Sequence, residues 1–418
     1  MTSPPLNETK SSFIDNSIIY VFSVLSILAI AMSPGIKSAG QLPVLILFFI
    51  SLIFCFRKPH LSKSDYALIS ALVFMVVSAI PQAIMSQQGQ PLDGPSRYLI
   101  AAIIFIALSH IKTSPLLIIY GIAGSAMFTI LAGGYEMVTT NHSRLNLGIG
   151  IIESGTVLSM IVSIALPFIA LPSQKRLRPL LIFVLLTCLF FMIATGARGS
   201  WLAVIISTSV FIFLKYQKKR LIIFSALFIT LLISGTVTYY SSERFSQRID
   251  ASIVEISSLH DTNIATSTNL RLLMWNHAWE GFKQGPLFGI SYKENARLKR
   301  QSIEKNNTTE VYSADGRGSA HNEILTSMLY KGIVGLLALL CLYLVPLLIF
   351  LKHIKNSHPK IQALALAGIC CVTSAFISGL TEAPLMHTSV ATTFAMMIIL
   401  IVTGINQLTG ETEETQNQ

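Results

Sequence analysis

Residues 179–214 read PLLIFVLLTCLFFMIATGARGSWLAVIISTSVFIFL, and the only charge in the run is Arg198. An α-helix needs about 20 apolar residues to cross roughly 30 Å of hydrocarbon. The runs 179–195 and 200–214 therefore predict two spans, and Thr195-Gly-Ala-Arg-Gly-Ser200 leaves room only for a tight turn, with the second helix starting near Gly196. Apolar on all sides, such a hairpin has no face to offer water. Outward from it, further apolar windows fall at 18–34, 41–56, 66–85, 97–111, 115–135, 147–171, 221–240, 323–351, 361–380 and 387–405. The expected fold class is an all-α polytopic membrane protein with about twelve transmembrane helices.

Composition excludes the soluble alternatives. Of 418 residues, 52% are hydrophobic and 12% charged, against about 25% charged in a soluble domain. The five cysteines, Cys55, Cys188, Cys341, Cys370 and Cys371, lie in apolar stretches and read as small core hydrophobes, with no disulfide or metal pattern. No cleavable signal peptide is expected at the start, and no internal repeat or low-complexity tract is evident.

The formal net charge is +10, and its distribution explains it. Connections after even-numbered spans hold Arg57, Lys58, Lys63, Lys112, Lys175, Arg176, Arg178, Lys215, Lys218, Lys219, Arg220, Lys352, Lys355 and Lys360, fourteen in all. The short odd-side connections hold four: Lys37, Arg97, Arg144 and Arg198. The positive-inside rule then puts both termini in the cytoplasm. A basic balance used for topology implies the lipid bilayer as partner and no nucleic acid.

Three regions follow: spans one to nine over 1–240, a long extracytoplasmic loop over 241–320, and spans ten to twelve with a short acidic cytoplasmic tail over 321–418. A connection this long is usually functional or disordered. Phe245, Ile249, Ile253 and Ile256 share one helical face, and Leu270, Leu273, Met274, Ala278 and Phe282 share another before Gly285-Pro286 ends the run. An ordered helical cap is expected, with Lys299–Gly318 as its mobile part.

Ionisable groups at the outer membrane face are costly and point to function. Arg198 opens a helix whose positive end faces outward, so it is either an interfacial anchor or, with the free N–H groups beside it, part of an anion site. Arg271 with Trp275 one turn on is either a cation–π pair or an ordinary amphipathic face. Arg317, in Asp315-Gly-Arg-Gly318, lies in a potential hinge. His321 precedes the tenth span, where a helix N-terminus disfavours imidazolium and keeps a general base available; its alternative is a satisfied interfacial histidine. Asn322 and Glu323 follow it directly. Glu382 in the last outer loop and Glu153 in the sixth span are carboxylates able to act as counter-ions. No nucleotide loop or metal-ligand cluster accompanies these groups, so no cofactor and no metal are expected, and a donor on this side has to arrive activated.

The ordered set Thr195-Gly-Ala-Arg-Gly-Ser200, Arg271 with Trp275, Gln284-Gly-Pro-Leu-Phe-Gly289, Ala320-His-Asn-Glu-Ile-Leu325 and Gly332-Ile-Val-Gly335 resembles the bacterial O-antigen ligase and polymerase superfamily. The resemblance implies a GT-C-type membrane glycosyltransferase, inverting and metal-independent. In its ligase branch O-antigen polysaccharide passes from undecaprenyl pyrophosphate to lipid A-core oligosaccharide at the periplasmic face of the inner membrane. It implies further that Arg198 and Arg271 bind the pyrophosphate and that His321 is catalytic. Arg317, Asn322, Glu323, Glu382 and Trp275 are secondary candidates, with Glu382 standing where many relatives have Asp. The polymerase branch is the nearest alternative, although its members tend to have two long outer loops. The protein O-oligosaccharyltransferase branch is usually longer at its C-terminus. A secondary transporter, from another class, would show paired halves and midplane charges, whereas here charge gathers at one face.

Overall fold

The computed structural model describes residues 6–33, 41–59, 61–140, 144–170, 172–216, 267–306 and 318–416, with scattered positions between 218 and 250. Among the described residues there is no strand. Helices α1 (Leu6–Ala31), α2 (Leu42–Ser51), α3 (Lys63–Val77), α4 (Ile80–Ser86), α5 (Ser96–Leu108), α6 (Leu117–Thr139), α7 (Ile151–Ala170), α8 (Arg178–Thr195) and α9 (Arg198–Lys215) come first. After them come α10 (Ser267–Gln284), α11 (Tyr292–Asn306), α12 (Glu323–His353), α13 (Pro359–Thr381) and α14 (Thr388–Gln416). Eight helical segments are long and apolar enough to cross a membrane, and Ser17–Ala31, Leu42–Phe56 and Ser96–Leu108 are shorter apolar helices. These eleven coincide with eleven of the expected windows. Most of the window 221–240 and of the amphipathic run 245–256 lies outside the described residues.

Burial separates an inner layer from an outer one. The spans in α7, α13 and α14 have 78%, 78% and 89% of their residues buried, whereas those in α8 and α9 have 28%. The exposed residues of the outer helices, such as Leu186 and Ile193 of α8, are as apolar as the core. That pattern places lipid on the outside of the bundle. α13 is the hub, packing against α7, α9, α12 and α14.

Two details differ from the sequence reading. The window 66–85 is broken between α3 and α4, because Pro81 lacks an N–H and crowds the preceding turn. Lys299–Gly318, expected to be mobile, is helical through Asn306 as the end of α11, while 307–317 fall outside the described residues. α11 escaped notice because it has no apolar stripe; its inward residues are Asn295, Lys299 and Tyr292 as well as Leu298.

The most informative junction joins α10 to α12. Inside α12, Gly332 adopts φ 63, ψ −153, which interrupts the helix. The freed Ile333 N–H donates to Pro286 O at 2.8 Å and the Val334 N–H to Leu287 O at 3.3 Å, while Ile290 N–H donates to Leu329 O at 2.9 Å. A Cβ on Gly332 would lie 2.4 Å from Leu287 O, so a side chain is excluded by space as well as by torsion. The motifs Gly-Pro-Leu-Phe-Gly289 and Gly332-Ile-Val-Gly335 are thus two halves of one joint. It fixes the helix that carries Arg271 to the helix that follows His321.

Candidate functional site

The C-termini of α8 and α13 and the N-termini of α7, α9, α12 and α14 meet at one end of the bundle. The opposite end holds the α8 N-terminus, α9 C-terminus and α12–α13 connection, with Lys175, Arg176, Arg178, Lys215, Lys352, Lys355 and Lys360.

The turn between α8 and α9 comes first. Gly196 ends α8 with φ 66 in the left-handed region, the usual helix stop. Arg144 then donates from Nε to Thr195 O at 2.9 Å and from Nη2 to Gly196 O at 3.0 Å, satisfying the last carbonyls of the helix. Arg198 is the first residue of α9 and is exposed; Ala197 precedes it without a capping side chain. The helix start therefore presents N–H groups together with a guanidinium. A Cβ on Gly199 would lie 2.1 Å from Thr381 Oγ1, so the α9 N-terminus rests on the residue before Glu382.

Glu382 organises the rest. Arg271 Nη2 donates to its Oε1 at 2.8 Å, and His321 Nδ1 contacts its Oε2. The carboxylate is 15% exposed, while the Arg271 and His321 side chains are 41% and 36% exposed. With Nδ1 directed at Glu382, Nε2 is the ring nitrogen of His321 not engaged by the carboxylate. His321 has φ 47, rare outside glycine. Its neighbours brace it: Asn322 caps α12 by accepting from Leu325 N–H at 3.0 Å and donates through Nδ2 to Leu380 O at 3.0 Å. Glu323 is buried and accepts from Leu385 N–H at 2.9 Å, anchoring the turn Pro384–Met386 after Glu382.

The structure thus brings Arg271, His321 and Glu382 into direct contact, and Arg198 beside them through Gly199 and Thr381. Trp275 packs with Ala278, Ile290, Ala320, Leu329 and Tyr330, while the Arg271 guanidinium goes to Glu382. Arg317 lies outside the described residues. His387, which the sequence reading passed over, has Nδ1 3.0 Å from Glu153 Oε1; its position five residues after Glu382 on the same outer loop was the signal available.

Fold and site together define an integral-membrane protein with a basic end, an apolar body and, at the other end, a cluster of arginines, histidine and carboxylate. Residues 181–340 match the family model described as O-antigen ligase. A Haemophilus influenzae protein without a functional name is 26% identical over 349 residues, 80% of this chain and 84% of its own length. An Escherichia coli protein named O-antigen ligase is 22% identical over 247 residues, 58% of each chain. A Rickettsia felis protein named "Putative polysaccharide ligase" is 24% identical over 271 residues, 63% of this chain and 60% of its own. The alignments thus span less than two thirds of the two named relatives. At the level of family, the motif resemblance to the O-antigen ligases holds.

Proposed function

We propose that this protein is an O-antigen ligase that transfers O-antigen polysaccharide from undecaprenyl pyrophosphate to lipid A-core oligosaccharide, at the periplasmic face of the inner membrane. The observation that carries this reading is the Arg271–Glu382–His321 constellation beside the α9 N-terminus, in a chain whose residues 181–340 match the ligase family. In this mechanism Arg198, the α9 N–H groups and the Arg271 donors not used by Glu382 hold the pyrophosphate. They stabilise the negative charge that grows on it as its bond to the anomeric carbon breaks. Attack from the opposite face by an acceptor sugar hydroxyl forms the glycosidic bond and inverts the centre. His321 Nε2 takes the hydroxyl proton, and Glu382 orients the imidazole and offsets its new positive charge. Undecaprenyl pyrophosphate leaves within the bilayer.

The test is deletion of the gene followed by gel analysis of lipopolysaccharide. A bare core together with accumulated lipid-linked O-antigen polymer is the expected result. Cores carrying a single repeat unit would instead mark a polymerase, and unchanged lipopolysaccharide would overturn both.

A further inference from the structure

α11 (Tyr292–Asn306) is cationic on the side of the molecule where cations are scarce. It carries Lys293, Arg297, Lys299, Arg300 and Lys305, more than the four basic residues of all the short outer connections together. Its inner face is already occupied. Asn295 is fully buried, bonded to His277 at 2.7 Å and donating to the Tyr330 hydroxyl at 2.8 Å. The Tyr292 ring meets that of Tyr330 edge-on, with centroids 5.0 Å apart. Lys299 is buried, with its ammonium against Gly318.

On the other face Lys293, Arg297 and Arg300 follow at helical spacing, all exposed, and line a hollow of about 420 Å³ with Ala296 and Gln301. Glu294 holds Arg297 by accepting from its Nε at 3.1 Å through each oxygen, which fixes the guanidinium between its neighbours. Lys293 and Arg300 meet no carboxylate among the described residues. Lys293 and Arg300, which lack a carboxylate partner there, flank the Glu294-held Arg297 guanidinium, and together the three form a site for an anion with several charges. A bilayer-inserting helix would show Trp, Phe or Leu between the cations; this face shows Ala296 and Gln301.

The position relates the hollow to the chemistry. From Gly318, which touches Lys299, to His321 is at most about 10 Å of chain, and a helix is about 10 Å across. The cationic face therefore stands within about 20 Å of His321. That is within reach of a second anionic group on an acceptor whose hydroxyl lies at His321.

We propose that Lys293, Arg297 and Arg300 form a subsite for phosphate groups of the acceptor glycolipid, holding it while its reacting hydroxyl reaches His321. The proposal rests on the ligase reading given above. It is tested with the full-length protein in detergent, using rough-type lipopolysaccharide and the same material after phosphatase treatment as probes. Lys293→Glu/Arg300→Glu should bind the phosphorylated probe about tenfold more weakly than wild type. The difference should vanish with the dephosphorylated probe and shrink at high salt. A Lys293→Gln/Arg300→Gln variant, with the thermal midpoint of wild type, should fall between. Unchanged binding in the charge-reversed variant, or equal loss for both probes, would overturn the proposal. So would weakened binding to phosphatidylglycerol vesicles with lipopolysaccharide binding intact, which would assign the face to the bilayer. Absence of glycan transfer by wild type would instead count against the ligase reading, and the binding comparison would still decide this one.

Discussion

Glu382 holds two partners at once, one per oxygen, and this dictates how its substitution differs from that of either partner. If His321 is the base proposed above, His321→Ala should lower turnover by about 10²–10⁴-fold, with lipid-linked donor still bound, as read by single-turnover assay and donor binding. Loss of donor binding with the fold intact would place His321 in the pyrophosphate site instead. Glu382→Gln keeps the shape but can present an N–H to His321 and release Arg271. It should therefore damage both turnover and donor affinity, a double signature that His321→Ala lacks. For the arginines the expectation concerns geometry: Arg198→Lys and Arg271→Lys keep the charge but lose the planar fork. Both should lose most ligation in a purified assay while remaining membrane-inserted, and full activity in both would remove the pyrophosphate clamp. Arg271, His321 and Glu382 could be picked out in the sequence because charge at a membrane face is conspicuous. The contacts among them could not, because they join residues 61 and 111 positions apart.

α10 and α11 are held to α12 by a polar relay and a backbone joint, and each can be tested separately. His277 of α10 is buried with Asn295 and Lys299. Burial pulls its pKa below the ordinary histidine value; the hydrogen bond with Asn295 opposes this, and the nearby Lys299 charge adds to it. The unfolded histidine therefore binds its proton at a higher pH than the folded one. The stability it contributes is complete above about pH 6.5 and falls as pH drops from there toward the folded value. Hydrogen-exchange protection factors over 267–306, which remove the intrinsic pH dependence of amide exchange, should fall on mild acidification, and His277→Gln should flatten that dependence. At the joint, Gly332→Ala meets Leu287 O and a torsion costing about 1–3 kcal/mol for a side chain. It should lower the thermal midpoint and uncouple Arg271 from His321, reducing ligation without loss of membrane insertion. Hydropathy made the apolar helices legible, whereas α11 was not, since a helix held by Asn295, Tyr292 and Lys299 leaves no apolar period to read. Nor was the pairing of the two glycine motifs, because neither half shows its partner until the chain folds back.

Across the whole molecule, the basic and the site-bearing ends carry the orientation. With the basic end inside, an alkaline phosphatase fused after Asn306 should be active and one fused after Gln418 inactive, with the reverse for a fluorescent reporter that matures only in the cytoplasm. The opposite result at either position would invert the topology. The eleven described apolar helices were legible from apolar length alone, because a bilayer imposes one requirement on every span; the break at Pro81 was not, since two short helices meet that requirement together. The Gly332 joint has a consequence for biogenesis. Synthesis runs from the N-terminus, so Pro286 and Leu287 leave the ribosome before the helix whose N–H groups they accept from. Until Gly332 has emerged and its span has been inserted, those carbonyls have only solvent as partner, and the arginine on α10 has neither a fixed place nor, with residue 382 still to be made, its carboxylate. On the proposed reading, a nascent chain of this protein is therefore catalytically silent until its last helices have been made and have closed over the segment that carries Arg271.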